Sequence, residues 1–161
     1  RREEDARLST LAFVDAATGL PNRVRLGQWM AERLAAERSF ALIGLGLGDG
    51  PNAASELQRL ACLLPAQLGR EAQVARSGTE QLSLLVDTDR PELVGRWCEE
   101  RLEPLLAPAR ARGVEPLWGL AIAPLDGSNA QLLMLRAGAR ASRLEHLLRA
   151  YPDADAASAA A

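Results

Sequence analysis

The sequence is poor in the residues that most often build metal, disulfide and nucleophile sites. It contains two cysteines and one histidine among 161 residues. Cys62 and Cys98 lie in separate apolar, helix-like patterns without Cys or His neighbours at metal-ligand spacing, so both are predicted to be core residues. His146 has no Ser, Cys or second His arranged around it, which favours a solvated surface side chain over a general base.

An excess of one charge and long apolar runs are also missing. The net charge is −2, and basic residues are spread among acidic ones, so no continuous basic stripe predicts nucleic-acid binding. The longest apolar runs, such as FALIGLGL, are far shorter than the roughly 20 residues that a bilayer span needs, and no signal peptide opens the chain. We expect a cytoplasmic fragment without direct membrane insertion, and anchoring of a longer full-length protein in the inner membrane stays open.

The length suits one domain with its own core. A chain of 161 residues and 17.3 kDa buries roughly 68–70% of its extended surface on folding. Aromatic residues make up only 4% of the chain, and the three tryptophans lie on apolar faces, which favours core positions for Trp29, Trp97 and Trp118. The chain has no initiator Met and both ends resemble linkers, so we expect a piece of a longer protein.

Alternating patterns predict strands and helices around one sheet. Asn22 can cap a helix that ends near Arg38 and has one apolar face, made of Leu26, Trp29, Met30 and Leu34. Continuous apolar runs at 39–47 and 116–124 predict buried strands, and VARSGTEQLSLLV predicts a hairpin at 74–86. Further helices are expected at 53–68, at 92–109 with a bend at Pro104, and after the turn LDGSN. The class is α/β in the broad sense (α+β).

Three segments, in order, resemble a known family. LAFVDAATGLPNRVRL is similar to the entry signature of the GGDEF domain, the diguanylate cyclase family, which opens with an Asp and then Thr-Gly-Leu-Pro-Asn-Arg. VARSGTEQLSLLV is similar to the family's hairpin, and GLAIAPLDGSNAQLLMLRAGARA resembles its closing strand, turn and helix. The resemblance predicts a GGDEF-like domain over residues 13–150. A linker or signalling helix precedes it at 1–12, and a disordered tail or linker follows at 151–161.

The resemblance implies both a fold and a chemistry. The fold is a central five-stranded, largely antiparallel sheet wrapped by helices, related to nucleotidyl-cyclase and polymerase palms. In active members, two GTP-loaded domains meet head to head and form cyclic di-GMP with the help of bound metal. A magnesium ion at a triphosphate needs carboxylates close together.

The metal-binding positions of the family are altered in this sequence. Gly46 stands at the position of the Asp that ends the first core strand, and Gly48 stands at the second acidic position, with Asp49 displaced from the strand end. The five signature positions of the hairpin are Gly78, Thr79, Glu80, Gln81 and Leu82. The third keeps a carboxylate, but Gln81 replaces an acid by an amide and supplies no negative charge. Thr79, in place of the second Gly, adds a branched Cβ near the phosphates. A lone Glu80 binds magnesium poorly and is predicted to be an exposed turn acid.

The remaining site positions are altered as well. The base-reading segment between Gly46 and the next helix is shorter than in the family by roughly two helical turns, and Asn52 cannot be assigned its role. The phosphate-facing Lys of the last helix falls near Glu145, a reversal of charge. The product-feedback motif, Arg-x-x-Asp, falls on Gly69 and Ala72, with Arg70 one place out of register.

We therefore expect a catalytically inactive GGDEF-like module, without metal or cofactor, that transmits signals. Its expected partners are adjacent domains of the same polypeptide, including an EAL-type phosphodiesterase, and a second copy that pairs through the N-terminal helix. The alternative is a module that binds GTP or cyclic di-GMP, or a weak cyclase. Asp15 and Arg23, in the best-preserved motif, are interpreted as a structural ion pair or cap.

Overall fold

The computed structural model describes residues 12–150, and the side chains of residues 12–141. The predicted helix at 1–12, apart from Ala12, and the predicted tail lie outside the described residues, as do the side chains of Glu145 and His146. The helices are α1 (Arg23–Ala35), α2 (Ala53–Leu68), α3 (Val94–Trp97), α4 (Glu103–Ala111) and α5 (Ala130–Ala150). The strands are β1 (Phe40–Gly46), β2 (Gln73–Gly78), β3 (Gln81–Asp87) and β4 (Leu117–Ala123). No helix in the described part is long and apolar enough to cross a membrane.

The sheet is antiparallel throughout, with the strand order β2-β3-β1-β4. It has four strands within residues 12–150, and the expectation of five is wrong in this respect. The segment that enters the domain lies beside β2, where the Arg76 amide donates to the Pro21 carbonyl at 2.8 Å. This segment forms only an isolated bridge between Val14 and Pro21. Proline has no N–H to donate, and the tight turn at Thr18–Gly19 leaves no length for a strand.

Asn22 starts α1 as the sequence predicts. Its side chain accepts a hydrogen bond from the Arg25 amide at 3.1 Å. The helix ends at Ala35, three residues before the predicted end. Glu37 turns the chain with a positive φ of 55°, and the Arg38 amide closes the last turn onto the Arg33 carbonyl.

The core has two layers, one on each face of the sheet. Helices α2, α3 and α4 cover one face, over Ile43, Leu45, Leu82 and Leu84. Helices α1 and α5 cover the other face, over Phe40, Leu42, Leu85 and Ala121. Strand β1 is buried on both faces, which confirms the prediction from its continuous apolar run. Strand β4 instead alternates between buried and half-buried residues, since it is an edge strand.

The cysteines and tryptophans are only partly where the sequence places them. Cys98 is buried, and that burial raises the pKa of its thiol to about 12. Cys62 is exposed, so its predicted core position is wrong: LACLL is apolar all along, and its pattern does not show which residue faces outward. The tryptophans are half-buried at the margins of the core; the Trp97 and Trp118 indoles donate to Glu71 at 3.3 Å and Glu103 at 2.7 Å.

The predicted helix at 92–109 is divided. A π-helical segment, Cys98–Leu102, separates α3 from α4, and a 3₁₀ turn, Pro91–Leu93, precedes α3. In the π segment the Glu103 amide donates to the Cys98 carbonyl, five residues earlier. Pro104 has no amide hydrogen to continue the α-helical pattern, so the irregularity falls immediately before it rather than at it.

Asp126 and Arg140 connect the end of β4 to α5. The Arg140 guanidinium donates to both Asp126 oxygens, at 2.8 and 3.0 Å, and to the Leu120 carbonyl. The Ile122 amide donates to Asp126 at 2.7 Å, and the Asp126 amide returns a hydrogen bond to the Ile122 carbonyl. The hydrogen bond from Arg140 outweighs partial burial and lowers the pKa of Asp126 to about 2.

This low pKa predicts that the protein loses folding stability in acid. Asp126→Asn should abolish this part of the pH dependence. Because the folded-state pKa lies below the ordinary value of 3.8, the carboxylate stabilises the fold above about pH 4 and loses its contribution as the pH falls toward 2. Arg140 is 47% exposed, so solvent screening limits the effect to about 1–2 kcal/mol. Urea unfolding at pH 6 and pH 2.5 measures it. The wild type should exceed Asp126→Asn at pH 6 and approach it at pH 2.5. Asp49→Asn, in an exposed loop, should match the wild type at both values; an equal gap for Asp126→Asn at both would contradict the prediction.

Candidate functional site

The hairpin tip is the centre of the candidate site. Strands β2 and β3 join through Thr79 and Glu80, with Gly78 opposite Gln81 and an irregular register between Arg76 and Gly78. The Glu80 carbonyl accepts a hydrogen bond from the Leu47 amide at 3.0 Å, which attaches the tip to the end of β1. Thr79 is exposed and does not have a positive φ, so its branched Cβ fits the turn without strain. Leu82 is fully buried beneath the tip.

Two of the positions at which the sequence predicts an altered metal site lie opposite each other. Gly46 and Gln81 are Cα partners in the β1–β3 ladder. The structure therefore brings together the positions at which the sequence predicts lost carboxylates. Glu80 is half-buried rather than exposed. Among the residues whose side chains are described, no group of three His, Cys, Asp or Glu residues could hold a metal ion.

The Gln81 side chain occupies space left by glycines. A Cβ on Gly44 would lie 3.2 Å from Gln81 Nε2, and one on Gly138 of α5 would lie 3.5 Å from the same atom. A Cβ on Gly78 would lie 3.4 Å from Gln81 Oε1. The amide thus packs between the sheet and α5, on the same face as the buried hydrogen bond from Ser83 to Ser77.

Asp15 forms the structural ion pair that the sequence predicts, but its partner is Arg76 and not Arg23. Arg76 Nη1 lies 3.1 and 3.3 Å from the two Asp15 oxygens. Thr18 donates to the same carboxylate from its amide at 2.9 Å and its hydroxyl at 2.7 Å. Partial burial raises the pKa of Asp15, but the hydrogen bonds from Thr18 and Arg76 outweigh it, so the pKa lies below its usual value.

Arg76 was not predicted from the sequence as a site residue. The one signal available was a charged residue in the otherwise small and apolar VARSG stretch, two residues before the tip. Arg76 also donates to the Gly78 carbonyl at 3.2 Å and the Thr79 carbonyl at 2.7 Å. Beside it lies a shallow cavity of about 300 Å³, lined by Asp15, Asn22, Arg23, Arg76, Ser77, Gly78 and Thr79.

The loop that follows β1 is the place to which the family resemblance assigns a shortened base-reading segment. Asn52 donates from its side chain to the Arg112 carbonyl at 2.9 Å and so fastens α2 to the loop before β4. Asp49 is exposed, outside the strand end. The Asn52 side chain thus makes a structural contact of this loop.

The region of the feedback motif is a 3₁₀ turn, Gly69–Glu71. Ala72 is buried, Arg70 is exposed, and Gly69 ends α2 with a positive φ of 53°. Between them, Glu71 accepts hydrogen bonds from Arg101 at 2.6 Å and from Trp97. The Arg101 hydrogen bond holds the pKa of Glu71 below its usual value.

Comparisons with known proteins identify the fold. No protein-family model and no curated protein matches the sequence. Solved structures do match. The chain is 24% identical to the FimX GGDEF domain of Pseudomonas aeruginosa, with a TM-score of 0.65 and coverage of 81% of this chain and 91% of that one. It is 22% identical to a diguanylate cyclase/phosphodiesterase structure from Caldicellulosiruptor saccharolyticus, with a TM-score of 0.67 and coverage of 86% and 90%.

A third structure is that of the coiled coil and GGDEF domain of DgcB from Caulobacter crescentus in complex with cyclic di-GMP. It is 17% identical to the chain, with a TM-score of 0.64 and coverage of 86% of this chain and 83% of that one. The three structures share one fold with residues of this chain, and that fold is the GGDEF, or diguanylate cyclase, fold. The fold that the sequence resemblance implies is therefore confirmed, with four strands described.

Proposed function

We propose that this chain is a catalytically inactive GGDEF-type module of cyclic di-GMP signalling that relays signals to neighbouring domains. The observation that carries the proposal is the pairing of Gly46 with Gln81 across β1 and β3. A magnesium ion bound to a triphosphate requires anionic oxygen ligands at its site. Gly46 has only a hydrogen atom as its side chain, and Gln81 has a neutral amide. Glu80 alone supplies one carboxylate, which is too few for the octahedral site of the ion.

The occupancy of the site supports the same proposal. The Gln81 amide fills the notch between β1 and α5, and Arg76 uses its donors on Asp15 and on the tip carbonyls. Neither group is free to receive phosphate oxygens without breaking contacts that hold the hairpin. A relay function needs only the fold and its connections, which these contacts preserve.

A second candidate function is a module that binds GTP or cyclic di-GMP, or a weak cyclase. It is favoured by the DgcB structure, which was solved in complex with cyclic di-GMP and has the same fold. For the relay function, the partners we propose are adjacent domains of one polypeptide, including an EAL-type phosphodiesterase, and a second copy through the N-terminal helix. Sedimentation of the chain with and without upstream sequence tests the second copy.

We expect purified protein with GTP and either magnesium or manganese to form no detectable cyclic di-GMP. Gly46→Asp combined with Gln81→Glu should also stay inactive, because the two substitutions restore negative charge but do not lengthen the shortened base-reading segment. The nearest atom to a new Cβ at position 46 is the Leu117 carbonyl oxygen at 4.0 Å, so a Cβ is accommodated there without a clash. Chromatography of the nucleotides after incubation measures the formation of cyclic di-GMP by both proteins.

An active GGDEF domain assayed in parallel shows that the conditions support turnover. Product from the wild-type protein would reject the inactive module, and product from the double variant alone would show that charge was the missing element. Calorimetry with GTP and with cyclic di-GMP, each with and without magnesium, separates the relay module from the binding module: only the latter gives saturable heat.

A further inference from the structure

We infer that Arg76 couples the entry loop, defined as residues 12–22, to the hairpin tip, defined as residues 78–81. This inference rests on the proposed relay function, because it names the path by which a displacement at the start of the domain reaches the former catalytic edge. The two segments are more than 50 residues apart in sequence, and the Arg76 side chain bonds to both of them.

The guanidinium of Arg76 contacts both segments at once. Nη1 donates to Asp15 in the entry loop, while Nε and Nη2 donate to the carbonyls of Gly78 and Thr79 at the tip. The backbone of the same residue donates to the Pro21 carbonyl. Because the guanidinium is planar and its donors have fixed directions, movement of Asp15 relative to the tip breaks bonds on one side or the other.

Hydrogen bonds within the entry loop allow a displacement of the loop to move Asp15. The Asp15 amide donates to the Leu20 carbonyl at 2.7 Å, and the Gly19 amide donates to the Asp15 carbonyl at 2.8 Å. Asn22 donates from its side chain to the Ala12 carbonyl at 2.9 Å. The backbone at Ala12, where the described chain begins, is therefore tied to the loop that carries Asp15.

The tip passes the displacement on to the sheet. The Glu80 carbonyl accepts from the Leu47 amide, one residue beyond the end of β1 at Gly46. The path thus runs from Ala12 through Asp15 and Arg76 to the tip and Leu47. The steps are hydrogen bonds of the described structure joined by short stretches of backbone, and the path ends next to Gly46, the residue of β1 that pairs with Gln81.

Hydrogen exchange distinguishes coupling from an ordinary stabilising ion pair. An ion pair that only stabilises the fold changes the exchange of all core amides together, whereas a coupling changes the amides at the far end of the path selectively. In Asp15→Asn, we expect the Leu47 amide to exchange about tenfold faster, because the tip that bonds it is released. The Leu84 amide, in the centre of the sheet, should be unchanged.

Asp87→Asn is the matched control. Asp87 accepts a bidentate bond from Arg33, so the variant weakens a pair of the same chemistry near the other end of β3. It should leave Leu47 exchange unchanged relative to Leu84. Arg76→Lys provides a second test, since a lysine ammonium cannot reproduce the fixed directions of the guanidinium donors. Its effect on Leu47 exchange should match that of Asp15→Asn.

Unchanged Leu47 exchange in both Asp15→Asn and Arg76→Lys overturns the inference, and so does an equal effect of Asp87→Asn. The measurement needs no nucleotide and no partner. Cyclase activity would reject the proposed function without touching the exchange result, while a negative exchange result would leave the inactive module standing without this path.

Discussion

Gly119→Ala is expected to destabilise the protein by about 3 kcal/mol or more, a large fraction of the roughly 5–15 kcal/mol that keeps a domain folded. A Cβ at this position in β4 would lie 2.3 Å from the Ala137 carbonyl oxygen and 2.5 Å from the Ala141 amide nitrogen. Both atoms belong to the backbone of α5, so no rotamer change relieves the overlap. The helix would have to move off the sheet, and the buried side chain of Leu133 would move with it.

Gly27→Ala is the matched control for this substitution. Gly27 lies inside α1, and a Cβ there would meet no atom within 4 Å. Alanine should stabilise this variant by about 0.5–1 kcal/mol through its helix propensity. Urea or thermal unfolding of both variants, followed by circular dichroism, measures the contrast. A Gly119→Ala protein as stable as the wild type would show that α5 does not lie against β4 as described.

Arg33→Ala is expected to cost about 2–4 kcal/mol of folding stability. The side chain of Arg33 is 10% exposed and donates to both oxygens of Asp87, to the Gln73 side chain at 2.6 Å and to the Trp29 carbonyl at 3.0 Å. These bonds connect α1 to β2 and β3. The Arg33 hydrogen bond also holds the pKa of Asp87 below its usual value. Truncation leaves the Asp87 carboxylate, the Gln73 side chain and the Trp29 carbonyl without this donor, and it opens a gap under α1.

Arg96→Ala provides the comparison for an exposed arginine. Arg96 pairs with Glu100 on a helical surface, and its side chain is 76% exposed. Its loss should change stability by no more than about 0.5 kcal/mol. Denaturant unfolding of the two variants under one condition decides the matter; similar losses for both would mean that Arg33 contributes no more than a surface ion pair.

Local patterns predict the local structure of this chain well. The helix at 53–68 has the predicted bounds, because its apolar period and the GDGPN turn before it act within a few residues. The hairpin and the Asn22 cap follow for the same reason. Where several apolar residues are consecutive, as around Cys62, the pattern does not fix the buried face, and there the prediction failed.

Long-range contacts were the part that sequence could not supply. The motif around Asp15 suggested an ion pair with the nearby Arg23 rather than with Arg76, because Arg76 lies 61 residues away and reaches Asp15 only once β2 has docked beside the entry loop. The assignment of Gly46 and Gln81 as altered metal positions is different. It followed from a family resemblance, and the strand register places the two residues opposite each other without testing whether catalysis is lost.

The contacts at the end of β4 also determine how this domain can meet other chains. β4 is an outer strand of the sheet, and an outer strand normally offers free amides and carbonyls to which a foreign strand can add. Here the amide and the carbonyl of Ile122 already bond to Asp126, and the Leu120 carbonyl accepts from Arg140. The charged pair thus occupies part of this edge and disfavours the addition of a foreign strand there, which protects the sheet from edge-to-edge aggregation.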